Sequence, residues 1–336
     1  MNKIQIANIL LTQRCNLKCD YCDIVKDYSG KPEEYQDMKY YADNELDANG
    51  WIEIIRRLKL NNPMVFVIFY GGEPFLYKEL SPIIQYCHDA DIIYTIITNN
   101  TDGVQNKIKE LRENLKEPIR GFTSSVDPIL VRSDPTIDDR YRKSSAAFQR
   151  LGLIKITGVA KDVVAEITVD NESVSDLYSL VSMLSRNGIY SSITMIDPKK
   201  NMYYDFSGTT DTSQLVGKTS ELRKQFDKII NDESLLVHIP TMLDKLFDGL
   251  PAEMDCNIHK DIHNVTISPD GRLRLCLRIR GTSTPELEFG EAINENGVIR
   301  LELNQMMYND HMAYCRKCNW TCMLMSKYYT DQVIDH

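Results

Sequence analysis

The 336-residue sequence lacks any apolar run of membrane-spanning length; residues 4–11 and 64–69 are the longest, whereas a spanning helix needs about 20 residues. The first of these runs follows Met1-Asn2-Lys3 without the length or small-residue cleavage site of a secretory signal. A cytoplasmic chain is therefore expected. Basic excess is missing too. A net charge of −9 argues against nucleic acid or an anionic membrane as partner, because both are held by basic surface. The short basic stretches at 56–59 and 272–280 read as a solvated helix face and a strand edge. Internal repeats and low-complexity segments are absent. The composition, 43% apolar and 26% charged, is that of an ordinary globular protein with enough material for a core. Its nine cysteines are thus not needed as staples, and in a reducing compartment they call for another reason. Eight of them fall into one early and one late group, which points to metal or cluster ligation.

Short β-branched or aromatic runs alternate with longer helical patterns, the sign of βα units and a parallel sheet. Strands are expected at 4–11, 64–69, 92–98, 120–125, 163–169 and 191–196, and helices at 44–60, 78–88, 104–115, 137–151 and 173–187, the last closed by Gly188 as a C-cap. Six such units predict an α/β fold, a partial (β/α)6 TIM-like barrel over residues 1–200. Residues 197–220 form a long irregular segment rich in Tyr, Gly, Ser and Thr, and helices follow at 221–231 and 241–247 within a linking region, 201–250. The rest, 251–336, reads as a small cysteine-rich α+β domain that begins with a hairpin around Pro269-Asp270-Gly271.

Cys15, Cys19 and Cys22 are spaced C-x3-C-x2-C directly after the first expected strand. Three thiolates on one loop can bind three irons of a cubane cluster and leave the fourth open. A structural zinc site would want four closed ligands, yet no fourth cysteine is near and the nearest histidine is His88. With an aromatic residue, Tyr21, before the third cysteine, the motif resembles the signature of the radical S-adenosylmethionine (radical SAM) superfamily. That resemblance implies a 4Fe-4S cluster on the three sulfurs, S-adenosylmethionine on the open iron, and Tyr21 near the adenine.

Four later segments extend the resemblance over residues 4–197. Tyr70-Gly71-Gly72-Glu73-Pro74, after the second strand, is similar to the family's GGEP motif, which contacts the methionine amino group. Glycines let a backbone approach a ligand closely, and Glu73 is an acceptor for an ammonium group. Thr98-Asn99-Asn100-Thr101 stands where the family has Thr-Asn-Gly; Asn100 tolerates the left-handed backbone that glycine would supply. Ser125-Val126-Asp127 resembles the Ser-x-Asp at the ribose side of the cofactor, and Glu166, Thr168 and Asn171 follow on the fifth strand. A polar residue at a strand end also serves as an ordinary helix cap. It is the ordered recurrence of these residues at successive strand ends that carries the resemblance.

The late group comprises Cys256, Cys276, Cys315, Cys318 and Cys322. Two ligands near the hairpin and two from the C-x2-C make a four-thiolate cage suited to zinc or to a 4Fe-4S cluster, and spacing does not separate these. The arrangement is similar to the SPASM domain of radical SAM enzymes, or its shortened "twitch" form. Five thiols cannot complete two cages, so one auxiliary 4Fe-4S cluster is implied, with Cys256, Cys276, Cys315 and Cys318 as ligands and Cys322 as a contested fifth. Cys87 reads as a buried helical cysteine, and His259, His263 and His311 as solvated or capping.

The family's chemistry would be reductive cleavage of S-adenosylmethionine to a 5′-deoxyadenosyl radical that abstracts hydrogen from substrate, with an electron donor of flavodoxin or ferredoxin type. The auxiliary cluster suits a net oxidation, hence an oxidoreductase. A peptide is the preferred substrate. A sugar or alcohol dehydrogenase or epimerase is the alternative, and an iron–sulfur or zinc electron carrier without cofactor turnover is a third reading. With the first strand starting at Ile4, an N-terminal peptide-recognition domain is not expected. With the sequence ending Val333-Ile334-Asp335-His336 and not in Gly-Gly, a role in molybdenum-cofactor biosynthesis is not expected. Substrate contacts are expected from residues 28–41 and 197–220. No catalytic acid or base is singled out.

Overall fold

In the computed structural model, which describes residues 3–17, 44–126, 139–169, 173–195, 220–238, 243, 264–274 and 287–299, the first apolar run becomes β1 (Ile6–Leu10), buried along its whole length. A strand with neighbours on both edges and cover on both faces has no need of a polar side. Its one polar residue, Asn8, donates from Nδ2 to Asn264 Oδ1 at 2.6 Å and to the Val265 carbonyl at 3.3 Å. The chain divides into two units: residues 1–95 with 201–209 and 250–336, and residues 96–200 with 210–249.

In the first unit, β1 is followed by α1 (Ala48–Asn61), β2 (Phe66–Tyr70), a 3-10 turn (Pro74–Leu76), α2 (Leu80–Asp89) and the start of β3 (Ile93–Thr98). Trp51, Ile54, Ile55 and Leu58 recur at helical spacing and are the buried stripe of α1. Asp47 caps that helix, accepting the Gly50 N–H at 2.8 Å. Phe69 and Tyr94, both buried, meet edge to face at 5.8 Å. Cys87 is fully buried in α2, as expected, and burial pushes its thiol well above the usual range.

β7 (Asn264–Ile267), β8 (Arg272–Arg274), β9 (Leu287–Glu288) and the short α7 (Phe289–Ala292) complete this unit. The expected hairpin is present. Gly271, at φ +82, donates its N–H to Ser268 O at 2.9 Å, and Ser268 donates to Arg272 O at 2.9 Å. β7 pairs in parallel with β1, Ile6 opposite Asn264, just as β2 does on the other edge with Ile6 opposite Phe66. The strand order is β3-β2-β1-β7-β8-β9, with β8 and β9 antiparallel. The first strand of the cysteine-bearing tail is therefore hydrogen-bonded into the same sheet as β1.

The second unit takes the end of β3, then α3 (Asp102–Asn114), β4 (Ile119–Val126), α4 (Asp139–Ile156), β5 (Ala160–Val169), a 3-10 turn (Val174–Asp176), α5 (Leu177–Arg186), β6 (Tyr190–Met195) and α6 (Ser220–Ile230). Its order is β6-β5-β4-β3, with β4, β5 and β6 parallel. Phe122, Ala165, Ile167, Leu180, Leu184 and Phe226 are buried in its core. The free edge of β6 is covered: Ser191 donates its N–H to Leu236 O at 2.8 Å, and Ser191 O accepts the His238 N–H at 2.9 Å.

All six expected strands and the helices up to α6 form close to their expected positions. Two differences have clear causes. α1 starts at Ala48 rather than 44, because Asp47 is its cap. α4 runs through Gly152 to Ile156 instead of stopping at Leu151, since an isolated glycine weakens a helix without ending one. It ends at Gly158, φ +66, where the Gly158 N–H reaches Lys155 O and the Val159 N–H reaches Ile154 O. α5 ends the same way at Gly188 (φ +68), the expected C-cap, and α2 at Asp91 (φ +46). The expected helix at 241–247, all but Leu243, and every late cysteine lie outside the described residues. No helix among the described residues is long and apolar enough to cross a membrane.

Nothing lies within 4 Å of a Cβ built on Gly158, so substitution there tests backbone conformation alone. Gly158→Ala is expected to cost about 1 kcal/mol, seen as a fall of roughly 2 °C in the melting midpoint. Gly158→Asn should lose less. Equal midpoints for Ala and wild type would contradict the left-handed cap.

Candidate functional site

Beyond β1 the chain leaves the regular ladder. The Leu11 N–H still donates to Tyr70 O at 3.0 Å, but the next two bonds are Gly72 N–H to Thr12 O and Glu73 N–H to Arg14 O, each 2.7 Å. Segment 70–73 therefore runs against segment 11–14, which leads into Cys15. A Cβ on Gly71 (φ +153) would lie 2.3 Å from Thr12 O, and one on Gly72 only 2.2 Å from Arg14 O. The two glycines are required by contact of backbone with backbone. Beside the approach to a ligand expected of them, they approach the backbone of the cysteine loop.

Glu73 is fully buried and accepts the Phe75 N–H at 3.1 Å through Oε1, capping the 3-10 turn that Pro74 opens. A carboxylate is thereby fixed beside the cysteine loop.

The other side of that loop is held by residues that the sequence motif does not contain. The Thr12 hydroxyl donates to Glu45 Oε1 and accepts the Arg14 N–H at 3.1 Å, while Arg14 Nη2 meets Glu45 Oε2 at 2.6 Å. Segment 45–47 is itself anchored: Leu46 N–H donates to Pro269 O at 2.8 Å and Leu46 O accepts the Tyr77 hydroxyl at 2.5 Å. Burial pushes the Tyr77 hydroxyl well above its usual range, with the Glu79 carboxylate adding to it. Thr12 and Arg14 had a visible signal, being polar residues between a buried strand and a cysteine. Glu45 had none.

Cys15 is half-buried, and its Sγ accepts the Leu17 N–H at 3.4 Å. Such a bond favours the thiolate, the form that binds iron. Gln13, two residues earlier, is 5% exposed, and its buried Oε1 has no hydrogen-bond partner. A soft sulfur donor on a pinned loop, beside an unpaired acceptor, fits an iron–sulfur cluster with a donor-bearing ligand. Cys19, Tyr21 and Cys22 lie outside the described residues, as do residues 28–41. Among the described residues no three His, Cys, Asp or Glu side chains gather as a metal site.

In the second unit, Thr98 Oγ1 accepts the Asn100 N–H at 3.0 Å, and Asn99 Oδ1 accepts the Thr101 N–H at 3.1 Å. Both side chains thus close the turn into α3. Asn100 sits at φ +48, so asparagine does take the left-handed position expected of it. Pairing sets Ser125 opposite Glu166, Glu166 opposite Ser192, and Thr168 opposite Thr194, which aligns all five on one face of the sheet. Ser125 is exposed, and Glu166 accepts from the Thr194 hydroxyl. Burial raises the Glu166 carboxyl, while the Thr194 and Ser192 hydroxyls pull the other way. Ser192 and Thr194 were not anticipated, although their alternation along β6 was the available signal. Asp127 and Asn171 lie outside the described residues.

Residues 9–127 match the family model described as the Radical SAM superfamily. Over 95 residues the chain is 31% identical to the S-adenosylmethionine-dependent nucleotide dehydratase of Selenomonas ruminantium, a match covering 28% of this chain and only 30% of that protein. It is 20% identical over 323 residues to GTP 3′,8-cyclase of Clostridium botulinum, covering 93% of this chain and 92% of that one. Among solved structures, Streptococcus suis SuiB bound to S-adenosylmethionine superposes with a TM-score of 0.60 at 15% identity, over 90% of this chain and 65% of SuiB. SuiB bound to precursor peptide SuiA gives 0.59, over 91% and 66%. The fold is the expected partial (β/α) barrel class.

Gly72→Ala places a methyl group against the Arg14 carbonyl. It is expected to displace the cysteine loop and cut iron incorporation on anaerobic reconstitution several-fold; full iron uptake would contradict the packing. Glu166 tests the sheet face. Its raised folded-state pKa means that stability is full below the ordinary carboxylate value near 4.5 and is lost as pH rises through the folded value. Glu166→Gln should therefore raise the melting midpoint at pH 7–8, and the gain should vanish below about pH 4.5.

Proposed function

We propose, from the match of residues 9–127 to the Radical SAM superfamily model, that this protein is an oxidoreductase that holds a 4Fe-4S cluster on Cys15, Cys19 and Cys22 and modifies a peptide oxidatively. The observation that carries the reading is the Cys15 loop, pinned by Gly71 and Gly72 on one side and by Glu45 on the other. Bound there, the cluster and S-adenosylmethionine supply one-electron cleavage of the sulfonium carbon–sulfur bond, with the electron coming from a flavodoxin- or ferredoxin-type donor.

The chain's own contribution is orientation. Gly71 and Gly72 set the height of the loop, and Thr12, Arg14 and Glu45 stop it from swinging outward. Glu73 would offer negative charge to the cofactor's amino group, and Tyr21 would offer its backbone to the adenine. Within the second unit, Ser125, Asp127, Glu166 and Thr168 would offer hydroxyl and carboxyl groups to a nucleoside or substrate, and Thr98 and Asn99 close the turn into α3. A peptide substrate is supported by the likeness to SuiB, which has been solved with its precursor peptide. An auxiliary 4Fe-4S cluster on Cys256, Cys276, Cys315 and Cys318, with Cys322 in reserve, would accept the electron that a net oxidation releases.

A nucleotide substrate is the second reading, favoured by the nearly full-length similarity to GTP 3′,8-cyclase.

Anaerobically reconstituted protein given dithionite and S-adenosylmethionine should release 5′-deoxyadenosine, and Cys15→Ala should release none. Release by the variant, or none from iron-loaded wild type, overturns the proposal. Release accelerated by GTP would decide for the nucleotide. A variant with alanine at positions 15, 19 and 22 should keep iron in its tail; zinc without iron there would end the auxiliary cluster.

A further inference from the structure

Gln13 sits between two residues that are fully committed. The carbonyls of Thr12 and Arg14 accept the N–H groups of Gly72 and Glu73. The side chains of Thr12 and Arg14 both engage Glu45. The backbone on either side of Gln13 is therefore clamped. Only 5% of the residue is exposed, and Oε1 is buried without a partner.

A buried carbonyl oxygen left unpaired is destabilising, and most native ones are satisfied. Several donors of the adjoining residues have other partners. The Thr12 hydroxyl goes to Glu45, the Arg14 N–H and Nε–H go to Thr12, Arg14 Nη2 goes to Glu45, and the Leu17 N–H goes to Cys15 Sγ. The missing donor must come from whatever binds at this loop. In the cofactor reading above, Glu73, fully buried and with its own N–H tied to Arg14 O, offers that ligand a carboxylate. A ligand group that answers both a carboxylate and a neutral carbonyl is a cation with several N–H bonds.

We infer that Gln13 is a binding residue whose Oε1 accepts a hydrogen bond from the ammonium group of the ligand held at the Cys15 loop. The inference rests on the cofactor reading above, in which that ammonium is the amino group of S-adenosylmethionine. It adds a neutral acceptor to the carboxylate expected from the sequence motif, and it assigns a residue between the strand and the first cysteine a recognition role of its own.

The test uses the reconstituted holoprotein and anaerobic calorimetry with two ligands. S-adenosylmethionine carries the ammonium; 5′-methylthioadenosine has the nucleoside and sulfur without it. Gln13→Leu fills nearly the same volume and removes the acceptor, whereas Gln13→Glu keeps an acceptor. Gln13→Leu should bind S-adenosylmethionine about tenfold more weakly, the loss typical of a hydrogen bond to a charged group, and bind methylthioadenosine as wild type does. Gln13→Glu should stay within about twofold of wild type for both. Without cluster or ligand, Gln13→Leu should melt higher than wild type, because it deletes an unsatisfied buried group. Equal S-adenosylmethionine affinity in Gln13→Leu, an equal loss for both ligands, or a loss in Gln13→Glu matching that of the leucine variant overturns the inference alone. A lower melting point for Gln13→Leu overturns it as well, by showing that Oε1 is satisfied. Wild type that fails to bind S-adenosylmethionine overturns the cofactor reading itself.

Discussion

Two backbone hydrogen bonds, from Gly72 to Thr12 and from Glu73 to Arg14, constrain everything else at the site. They carry the pairing of β1 with β2 past the end of the regular sheet and into the loop that bears Cys15. There is no room for a side chain between the two segments, since a Cβ at either Gly71 or Gly72 would sit inside the contact distance of a carbonyl oxygen. The Gly-Gly pair is therefore as much a condition for placing the cysteine as a surface for a ligand. A loop held this way has few alternative arrangements, so less ordering accompanies binding at it.

The second support is electrostatic and arrives from a distance. Glu45 meets Thr12 and Arg14 on one carboxylate, and the segment that carries it is bonded to Pro269 at the β7–β8 turn and to Tyr77 after the 3-10 turn. The Leu46 side chain also fills the space against Gly271. The hairpin of the late segment, the start of α1 and the cysteine loop thus share one set of contacts within the first unit. The parallel pairing of β7 with β1 has the same effect on a larger scale, because it protects an edge that would otherwise be open. In the second unit the register of three parallel strands gathers Ser125, Glu166, Thr168, Ser192 and Thr194 on one face. A carboxyl there is held above its ordinary range by burial and answered by hydroxyls rather than by a cation.

Much of this was legible without coordinates. The alternation of short β-branched runs with helical stretches set out the βα units, Gly188 marked a helix end, and the spacing of Cys15, Cys19 and Cys22 with Gly71-Gly72-Glu73 pointed to the family. Periodicity and turn chemistry act locally, which is why they survive in a linear reading. The errors were local too. The fourth helix was expected to stop at Leu151, although the left-handed residue that ends α4 is Gly158.

What the sequence alone determined was the order of the elements and the likeness of the cysteine loop and the Gly-Gly turn to the family's motifs. Tertiary structure decided what those glycines touch, which strand closes the second edge of β1, that Glu45 reaches Arg14, and that Gln13 is sealed in without a donor. Local preferences depend on residues a few positions apart, whereas these outcomes depend on pairing and burial between segments tens to hundreds of residues apart. Only the folded chain brings such segments within hydrogen-bonding distance.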